Sequence, residues 1–485
     1  MNANVALSGR ISARGLVELL GTWREPGSRH PSADLADGIR LLAREGRLPS
    51  GTRLPAEREL ADALSVSRTL VTKAVDELRD EGVVASRQGS GSWISAEWYS
   101  AERMPELPVG DAAPQVIDLA RASVEAVPAM MGAVEAATRR LPALLRGHGY
   151  QPHGQPELRD AIAARYRTRG LPTTADQIVV TSGSHHAFVL LLRLLAHPGD
   201  RVLVEQPTYP NALDAIRASH ALPIGVALTD DGWSLDSVEA AIRQSAPRLA
   251  YCVPDFHNPT GHRLGEAGRQ RLADVLRRTR TTAVADETLV ELDLEGDPLD
   301  GPPPLASFAP DAVVTVGSAS KSHWGGLRIG WIRAPMELVG RLLSARSSVD
   351  LGTPVFEQLV LAELLTDPEP VLRQRRRELA RRRDVLLTEL AEHCPLWRIR
   401  PPRGGQGLWC ELDEPISTRL AVAAQAHGLL LVPGSRFGVD GGWERWLRVP
   451  FTLPPDQLTE AAARLGRLAR AVGGRGAGEL TVPVA

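Results

Sequence analysis

Lysine is almost absent from this chain. Only Lys73 and Lys321 are lysines among its 56 basic residues, and the others are arginines. A GC-rich coding bias explains why arginine stands where lysine would serve equally well. A position that keeps lysine is therefore a candidate for chemistry that a guanidinium cannot perform. A primary amine can lose its proton and form a Schiff base, whereas arginine stays protonated at any usable pH. Both lysines are therefore candidate functional residues, and their surroundings decide between them.

Other absences narrow the class of protein. The only cysteines are Cys252, Cys394 and Cys410, and their wide spacing excludes a disulfide framework and fits a reducing cytoplasm. The sequence has no run of about 18 apolar residues and no apolar N-terminal segment, so we expect a cytoplasmic protein with no membrane partner. A net charge of -2 excludes a generally basic protein, so any contact with nucleic acid must be local.

The 485 residues are enough for two to four domains. The sequence of the first domain predicts short helices followed by a hairpin. Residues 1–30 have no clear period and are predicted to be an arm. Helical periods follow at 33–45, 57–64 and 68–81, and Ser67 is placed as the N-cap of the last of these helices. The stretch VVASRQGSGSWI alternates on both sides of a Gly-Ser-Gly tip, as a β-hairpin does. This order predicts a winged helix-turn-helix.

Residues 32–95 resemble the DNA-binding domain of GntR-type bacterial regulators, through GxRLPAERELAxxLxVSRTxV and the SRQGSGSWI wing. The resemblance implies that double-stranded DNA is a partner and that the last helix enters the major groove. A winged helix that contacts only proteins is the alternative. The residues expected to face the bases are Ser67, Arg68, Thr69, Thr72 and Lys73, and those expected at the phosphates are Arg53, Arg58, Arg87, Gly89 and Gly91.

The rest of the chain alternates apolar strand-like runs with helical stretches, which predicts an α/β fold with a mostly parallel sheet. We expect the winged helix and its arm at 1–96, a linker at 97–116, the large domain at 117–472 and a tail at 473–485. An arginine-rich stretch, VLRQRRRELARRRD, is interpreted as the solvated face of a long helix rather than as a second DNA surface.

Lys321 follows an apolar strand in TVGSASKSHWGGLRIGW. Ser318 and Ser320 precede it and Arg328 follows, and hydroxyls with a fixed arginine are what a phosphate dianion requires. Upstream, the strand of QIVVTSGSHHAF runs into a helix, so the backbone N–H groups of Gly183, Ser184 and His185 can bind phosphate at the helix N-terminus.

Three further side chains are expected at strand ends. Tyr209 in VEQPTYP can stack on a heterocycle, and Asn258 in HNPTG can donate to a phenolate oxygen. Asp286 ends the strand of TTAVADET, where its carboxylate can pair with a protonated pyridine nitrogen. Together with the Lys321 motif, these elements occur in an order that is unlike a chance arrangement.

These five elements resemble the fold-type I aminotransferases, which bind pyridoxal 5′-phosphate (PLP), over about 350 residues. The resemblance implies that Lys321 forms the Schiff base, that Asp286 keeps the ring nitrogen protonated, and that Arg448 binds an α-carboxylate. It also implies that Tyr150 reaches a phosphate across a dimer interface. The sequence departs from the family at Thr288 and Leu289, where a tyrosine commonly contacts the ring oxygen.

A winged helix in front of such a domain is the layout of the MocR/GabR-type regulators, a branch of the GntR family. That resemblance implies a head-to-tail homodimer that senses PLP and an amino-compound effector such as an amino acid. Two alternatives remain: a working aminotransferase with a DNA-binding appendage, and a regulator that senses PLP alone while Arg448 is idle.

Overall fold

The computed structural model describes residues 9–24, 28, 30–87, 91–96 and 116–473. Its N-terminal domain has four helices followed by a two-stranded antiparallel hairpin. The helices are α1 (Ala13–Leu20), α2 (Pro31–Arg44), α3 (Glu57–Leu64) and α4 (Arg68–Asp80), and the strands are β1 (Val84–Arg87) and β2 (Gly91–Ile94). This is the winged helix-turn-helix that the sequence predicts.

Helix α4 begins and ends for the reasons visible in the sequence. The Oγ of Ser67 accepts the N–H of Leu70 at 3.3 Å, and Gly82 takes a left-handed φ of 75° just beyond the helix. One face of α4 buries Val71, Val75 and Leu78 in a core shared with α2 and α3. The opposite face is left to solvent, which is the geometry a DNA-reading helix requires.

Helix α1 corrects the expectation that residues 1–30 form an arm without regular structure. Ser12 caps this helix by accepting the N–H of Gly15, and Leu16 and Leu20 are buried in the winged-helix core. A serine cap followed by two leucines four residues apart is a pattern that predicts a helix. They were missed because only eight residues carry the period.

The large domain begins with a short strand, β3 (Ile117–Asp118), that lies outside the central sheet. The central sheet has eight strands in the spatial order β4-β11-β10-β9-β8-β5-β6-β7. Strands β10, β9, β8, β5 and β6 are parallel, whereas β11 and β7 are antiparallel to their neighbours. Their bounds are β4 (Ile178–Thr181), β5 (Arg201–Gln206), β6 (Leu222–Thr229), β7 (Gly232–Trp233), β8 (Leu249–Cys252), β9 (Thr282–Asp286), β10 (Val313–Ser318) and β11 (Gly330–Arg333).

Helices cover both faces of this sheet, because alternate strand residues point to opposite sides and both sides are apolar. In β4, Ile178 and Val180 face one core while Val179 faces the other. The helices are α5 (Met130–Leu144), α6 (Pro156–Thr168), α7 (Ser184–Leu195), α8 (Pro210–Ala218), α9 (Leu235–Ser245), α10 (Glu266–Thr279), α11 (Met336–Arg346) and α12 (Val355–Leu364). Of these, α7, α8 and α11 lie on one face.

A smaller C-terminal unit has its own antiparallel sheet of order β12-β13-β16-β15 and a third core. Strand β14 pairs in parallel with β3, which ties residues 117–118 to this unit. The elements are α13 (Pro368–His393), β12 (Arg398–Ile399), β13 (Gly407–Glu411), α14 (Ser417–Gln425), β14 (Leu429–Leu430), β15 (Val432–Pro433), β16 (Trp446–Pro450) and α15 (Pro455–Gly473).

Helix α13 contradicts the interpretation of its arginines as one solvated face. Arg373, Arg377 and Arg381 are exposed, but four others are buried, namely Arg375, Arg376, Arg382 and Arg383. Arg375 donates to the carbonyl of Glu125 at 2.6 Å, and Arg382 pairs with the carboxylates of Glu125 and Glu378. Buried guanidiniums require such partners. Glu378 lies four residues before Arg382 on the same helix, whereas Glu125 comes from a distant segment that no local pattern reveals.

The winged helix packs on the C-terminal unit of the same chain, with α2 against α14. Arg419 of α14 pairs with Asp34 of α2 at 3.3 Å, and Arg436 pairs with Glu45, just beyond α2, at 2.9 Å. Residues 97–115 lie outside the described residues, so the expected linker and its boundaries stay predictions.

In the described part of the chain, no helix is long and apolar enough to cross a membrane. Cys252, Cys394 and Cys410 are free and buried.

Replacing Leu16 by alanine tests the unexpected helix α1. Leu16 is fully buried, so Leu16→Ala should destabilise the winged helix by about 2 to 5 kcal/mol through lost burial and the cavity left behind. The measurement is the urea midpoint of the transition in which the winged helix unfolds. Glu18→Ala, at an exposed position of the same helix, is the control and should change the midpoint little. Equal effects of the two changes would contradict the packing of α1.

Candidate cofactor site and DNA-binding face

A cavity of about 440 Å³ lies at the carboxyl ends of the parallel strands, between the large domain and the C-terminal unit. Ligands of open α/β sheets bind at such a place, because the loops after neighbouring strands converge there. The cavity brings together six of the residues expected from the sequence to form the site, and these are Ser184, Tyr209, Asn258, Asp286, Lys321 and Arg448.

The start of α7 forms a cradle for an anion. Gly183 has a φ of 93° and lies so close to Arg328 that a Cβ on it would come within 2.7 Å of Nη2. The same Nη2 donates to the carbonyl of Ser182 at 2.9 Å, which fixes the guanidinium beside the helix N-terminus. Backbone N–H groups, a helix dipole and a fixed guanidinium together favour a phosphate.

Ser318 is the last residue of β10 and pairs with Gly330 of β11, which lies against the backbone of Gly183 in the cradle, and Ser320 follows two residues later. The Oγ of Ser318 donates to the Oγ of Ser320 at 2.9 Å, and the backbone N–H of Ser320 donates to Ser318 at 3.1 Å. His185 lies edge-on to Tyr209, with ring centroids 6.4 Å apart. His186 accepts the N–H of Ser182 at 3.1 Å, which is a structural role.

Asp286 is held at the end of β9 by two side chains. The hydroxyl of Tyr251 donates to Oδ2 at 2.8 Å, while the backbone N–H of Thr288, at 2.9 Å, and its hydroxyl both donate to Oδ1. Burial raises the pKa of Asp286, and these hydrogen bonds oppose the rise. A carboxylate can accept about four hydrogen bonds, so one position remains for a protonated ring nitrogen.

Thr288 does not replace the absent family tyrosine, since its hydroxyl is bonded to Asp286. Leu289 is buried and apolar. Asn258, which lines the cavity, stays the side chain expected from the sequence to contact a ring oxygen. Tyr251 was missed by the sequence reasoning, although its place at the end of β8, next to β9, follows from the strand order.

Lys321 lies between opposing charges. Its Nζ donates to the carbonyl of Ala122 at 2.6 Å. Burial, with the nearby Arg448, lowers the pKa of Lys321 to about 8, against the opposite effect of Asp286. With a pKa of about 8, roughly a tenth of this lysine is uncharged at pH 7, and an uncharged amine is a nucleophile.

Arg448, on β16, is buried and donates through Nη2 to the carbonyl of Ala120. Its guanidinium carbon lies 5.4 Å from the ring centre of Phe437, and its Nε has no partner among the described residues. Burial lowers the pKa of Arg448 to about 10. A buried guanidinium with a spare donor is suited to bind a carboxylate.

Residues 120–123, which we call the strap, connect these two cations. The carbonyls of Ala120 and Ala122 accept from Arg448 and Lys321, and all four strap residues line the cavity. Sequence reasoning missed the strap, because backbone acceptors leave no residue pattern. A ligand that takes Nη2 of Arg448 or Nζ of Lys321 replaces one of these carbonyls, whereas Nε of Arg448 has no such partner among the described residues.

Tyr150 is not brought to the cavity within one chain. It is 60% exposed and stacks on His148 with ring centroids 5.8 Å apart. Its predicted role across a dimer interface stays a prediction.

The expected DNA-facing residues lie mostly on the exposed face of the winged helix. Ser67, Arg68, Thr69 and Lys73 on α4 are exposed, as are Arg53, Arg58, Arg87 and Gly91. Thr72 differs, since its hydroxyl donates to Glu57 at 2.7 Å. Gly89 lies outside the described residues.

Comparison with known families decides the assignment. The family model of class I and II aminotransferases matches residues 132–465, and that of the gntR family of bacterial regulatory proteins matches residues 31–94. The chain belongs to the class I and II aminotransferase family. Its N-terminal domain is a GntR-family DNA-binding domain, and this fusion is of the MocR type.

Relatives of both kinds are found for this aminotransferase-family chain. It is 28% identical to the uncharacterized HTH-type transcriptional regulator YdcR of Escherichia coli, over 90% of this chain and 98% of that protein. It is 31% identical to the 2-aminoadipate transaminase of Thermus thermophilus, over 60% and 75%. The crystal structure of LysN from Thermus thermophilus, complexed with N-(5′-phosphopyridoxyl)-L-leucine, matches with a TM-score of 0.67 and 28% identity, over 74% and 93%.

The aminotransferase family uses PLP, and the residues present fit that cofactor. The cradle of Gly183 and Arg328 suits the phosphate, the free acceptor position of Asp286 suits the ring nitrogen, and Lys321 suits the aldehyde. When bound, PLP withdraws electrons from an attached amino group.

Lys321→Ala should abolish the visible absorbance of the PLP-bound chain, since no other amine of the described residues lines the cavity. Lys73→Ala removes the other lysine and is the matched control.

In the unmodified chain, the rate of PLP uptake should rise about tenfold for each pH unit below pH ~8 and level off above it, because the amine must lose its proton first. Retention of the band in Lys321→Ala, or uptake independent of pH, would contradict the assignment.

Proposed function

We propose that this chain is a transcription regulator that binds double-stranded DNA through its winged helix and senses an amino compound at its PLP site. The observation that carries the proposal is a contact between the wall of the PLP cavity and the winged helix. Arg436 lines the PLP cavity, and the same side chain pairs with Glu45 of the winged helix at 2.9 Å. A change at the cavity wall therefore has a direct route to the DNA-binding domain.

The DNA-binding half of the proposal rests on the exposed face of α4. Arg68 is the first residue of this helix and is exposed, which suits a base contact in the major groove. Arg53 and Arg87 lie outside α4, on the strand-like segments around the wing, which suits phosphates.

The sensing half rests on Arg448 and Lys321. An amino acid would place its carboxylate on Arg448, where the unpartnered Nε and the Nη2 now bonded to Ala120 are the available donors. Its amine would take the place of Lys321 on the cofactor. A carboxylate on Nη2 would break the hydrogen bond to Ala120, whereas an amine that freed Lys321 from the cofactor would let its Nζ bond Ala122 again, so effector binding would change the contacts of residues 120–123.

Slow or absent turnover is part of the proposal. Transamination would require Lys321, once released, to carry the α-proton to the ring carbon, and would require a firm contact to the ring oxygen. The hydroxyls of Thr288 and Tyr251 both donate hydrogen bonds to Asp286, so Asn258 is the side chain we expect to contact the ring oxygen. The likeness to the 2-aminoadipate transaminase makes an active enzyme the competing function, and kinetics separate the two.

We also propose a head-to-tail homodimer. Tyr150 is exposed and does not line its own cavity, as expected of a side chain that serves a partner. The contact of α2 with α14 would be formed equally well by the winged helix of a second copy.

Arg68→Ala should cost roughly 1 to 3 kcal/mol of binding free energy on the cognate operator and should relax specificity there. Arg53→Ala and Arg87→Ala, the matched phosphate variants, should weaken binding to all sequences alike. Fluorescence anisotropy on cognate and random duplexes at fixed salt measures both. Equal losses on the two duplexes for Arg68→Ala would rule out base reading.

An amino compound that shifts the absorbance of the PLP-bound chain should also change its affinity for DNA by about 1 to 3 kcal/mol. DNA should change the affinity for that compound by the same factor, because linkage is reciprocal. Paired titrations, one followed by absorbance and the other by fluorescence anisotropy, measure the two changes in affinity. Arg448→Leu should lose the response to amino acids while keeping the band of bound PLP.

Steady-state kinetics test the competing function, an active aminotransferase. Multiple turnovers with a 2-oxo acid on the order of 1 s⁻¹ or faster, with DNA affinity unchanged by every amino compound, would establish the enzyme instead. A DNA response to PLP alone, with no spectral response to amino acids, would show a sensor of the cofactor.

A further inference from the structure

Arg79, one residue before the end of α4, contacts both strands of the wing formed by β1 and β2. Its Nε donates to the Oγ of Ser86 on β1 at 2.8 Å, and its Nη2 donates to the Oγ of Ser92 on β2 at 3.3 Å. The two serines are register partners in the hairpin, and their hydroxyls are 2.8 Å apart. One guanidinium therefore holds both strands at the same level, through the planar fork that lysine lacks.

The same guanidinium is tied to the two helices beneath the wing. Its Nη2 pairs at 2.9 Å with Oε1 of Glu57, the first residue of α3, and its Nη1 pairs with Asp76 of α4. Oε2 of Glu57 accepts the hydroxyl of Thr72 at 2.7 Å. Burial acts to raise the pKa of Glu57, but the hydrogen bonds from Thr72 and Arg79 outweigh it and lower that pKa. We call this network the clamp, and its members are Glu57, Thr72, Arg79, Ser86 and Ser92.

The clamp acts where the wing has least other support. At the inner end of the hairpin, the register partners Val84 and Ile94 are buried in the winged-helix core. Strand β2 is also held by backbone hydrogen bonds to residues 52–54. Strand β1 pairs with β2 alone in the described part of the chain, and its last residue, Arg87, is exposed. The clamp therefore fixes the distance between the outer end of β1 and α4.

The surroundings of Arg79 suit a positioning role better than a phosphate contact. A guanidinium has five N–H donors, and four of them are used here, two by carboxylates and two by the wing serines. Two carboxylates beside one guanidinium leave no positive charge for a DNA phosphate. Arg87 on the wing is exposed, which is what a phosphate contact requires.

We propose that Arg79 is a positioning residue for DNA binding, which holds the wing so that Arg87 reaches a phosphate while α4 lies in the major groove. This proposal rests on the DNA-binding half of the proposed function. Arg79 acts on DNA through the wing serines and not through its own charge.

The decisive variant breaks the clamp without changing any charge. In the full-length PLP-bound chain, Ser86→Ala combined with Ser92→Ala should weaken binding to a random-sequence duplex roughly fivefold. The slope of log affinity against log salt concentration should fall by about one, because the phosphate contact of Arg87 is lost. The ratio of cognate to random affinity should stay the same, since α4 keeps its base contacts. Fluorescence anisotropy over a series of salt concentrations measures all three.

A double-mutant cycle shows whether the clamp acts through Arg87. Arg87→Ala should cost little further in the double-serine variant, because its contact is already lost. Arg53→Ala is the matched control and should cost its full amount there. Backbone hydrogen bonds to Gly9 and Ile11 hold Arg53, and these do not involve the clamp. Additive losses for Arg87→Ala would overturn the inference.

Two further outcomes would also overturn it. Arg79→Lys keeps the charge but not the fork, so it should lose affinity as the double-serine variant does. Affinity kept in Arg79→Lys, or in the double-serine variant, would show that Arg79 itself contacts DNA or that the clamp does nothing. A fall in the cognate-to-random ratio, together with a lower urea midpoint of the winged helix, would show a merely structural role.

The inference and the proposed function fail in different ways. If the unmodified chain binds neither duplex, both are wrong. If it binds DNA and the clamp variants bind equally well, the regulator function stands and only the role of Arg79 is wrong.

Discussion

The burial of cations at the carboxyl end of the sheet is the constraint on which the site depends. Arg448 is buried and Lys321 partly buried there, and each is held by a strap carbonyl. Desolvation lowers the pKa of both groups, and Arg448 lowers that of Lys321 further, so both cations are costly to hold without a ligand. A site of this kind binds anions and aldehydes well, because the ligand relieves an imbalance that folding has created.

The residues that the sequence predicts and those that it misses differ in how they act. Lys321, Asp286 and Asn258 were predictable, since each follows an apolar strand and the ends of parallel strands converge. The strap was not, because Ala120 and Ala122 act through their carbonyls. The winged helix was predictable from caps and periods within about 60 residues, whereas short α1 was missed.

Distant pairing accounts for the remaining errors. The buried arginines of α13 look solvated in the sequence, because their partners, such as Glu125, lie some 250 residues away along the chain. The pairing of Arg436 with Glu45 likewise joins two segments that no local pattern connects. Charged residues in an arginine-rich chain are therefore the least predictable part of this fold, since composition hides which of them are buried.

A connection between cavity and DNA requires shared contacts with two arrangements, and α2 provides the shared element. At one end Glu45 enters the cavity wall. One helical turn earlier, Arg40 donates from Nε and Nη2 to Glu81, at the end of the recognition helix α4, both at 2.8 Å. Because α2 packs on both α14 and α4, a ligand that displaced the end of α2 through Glu45 would change its packing against one of them. Since α4 carries most of the residues expected to face DNA, either change would alter how the helix is presented to DNA.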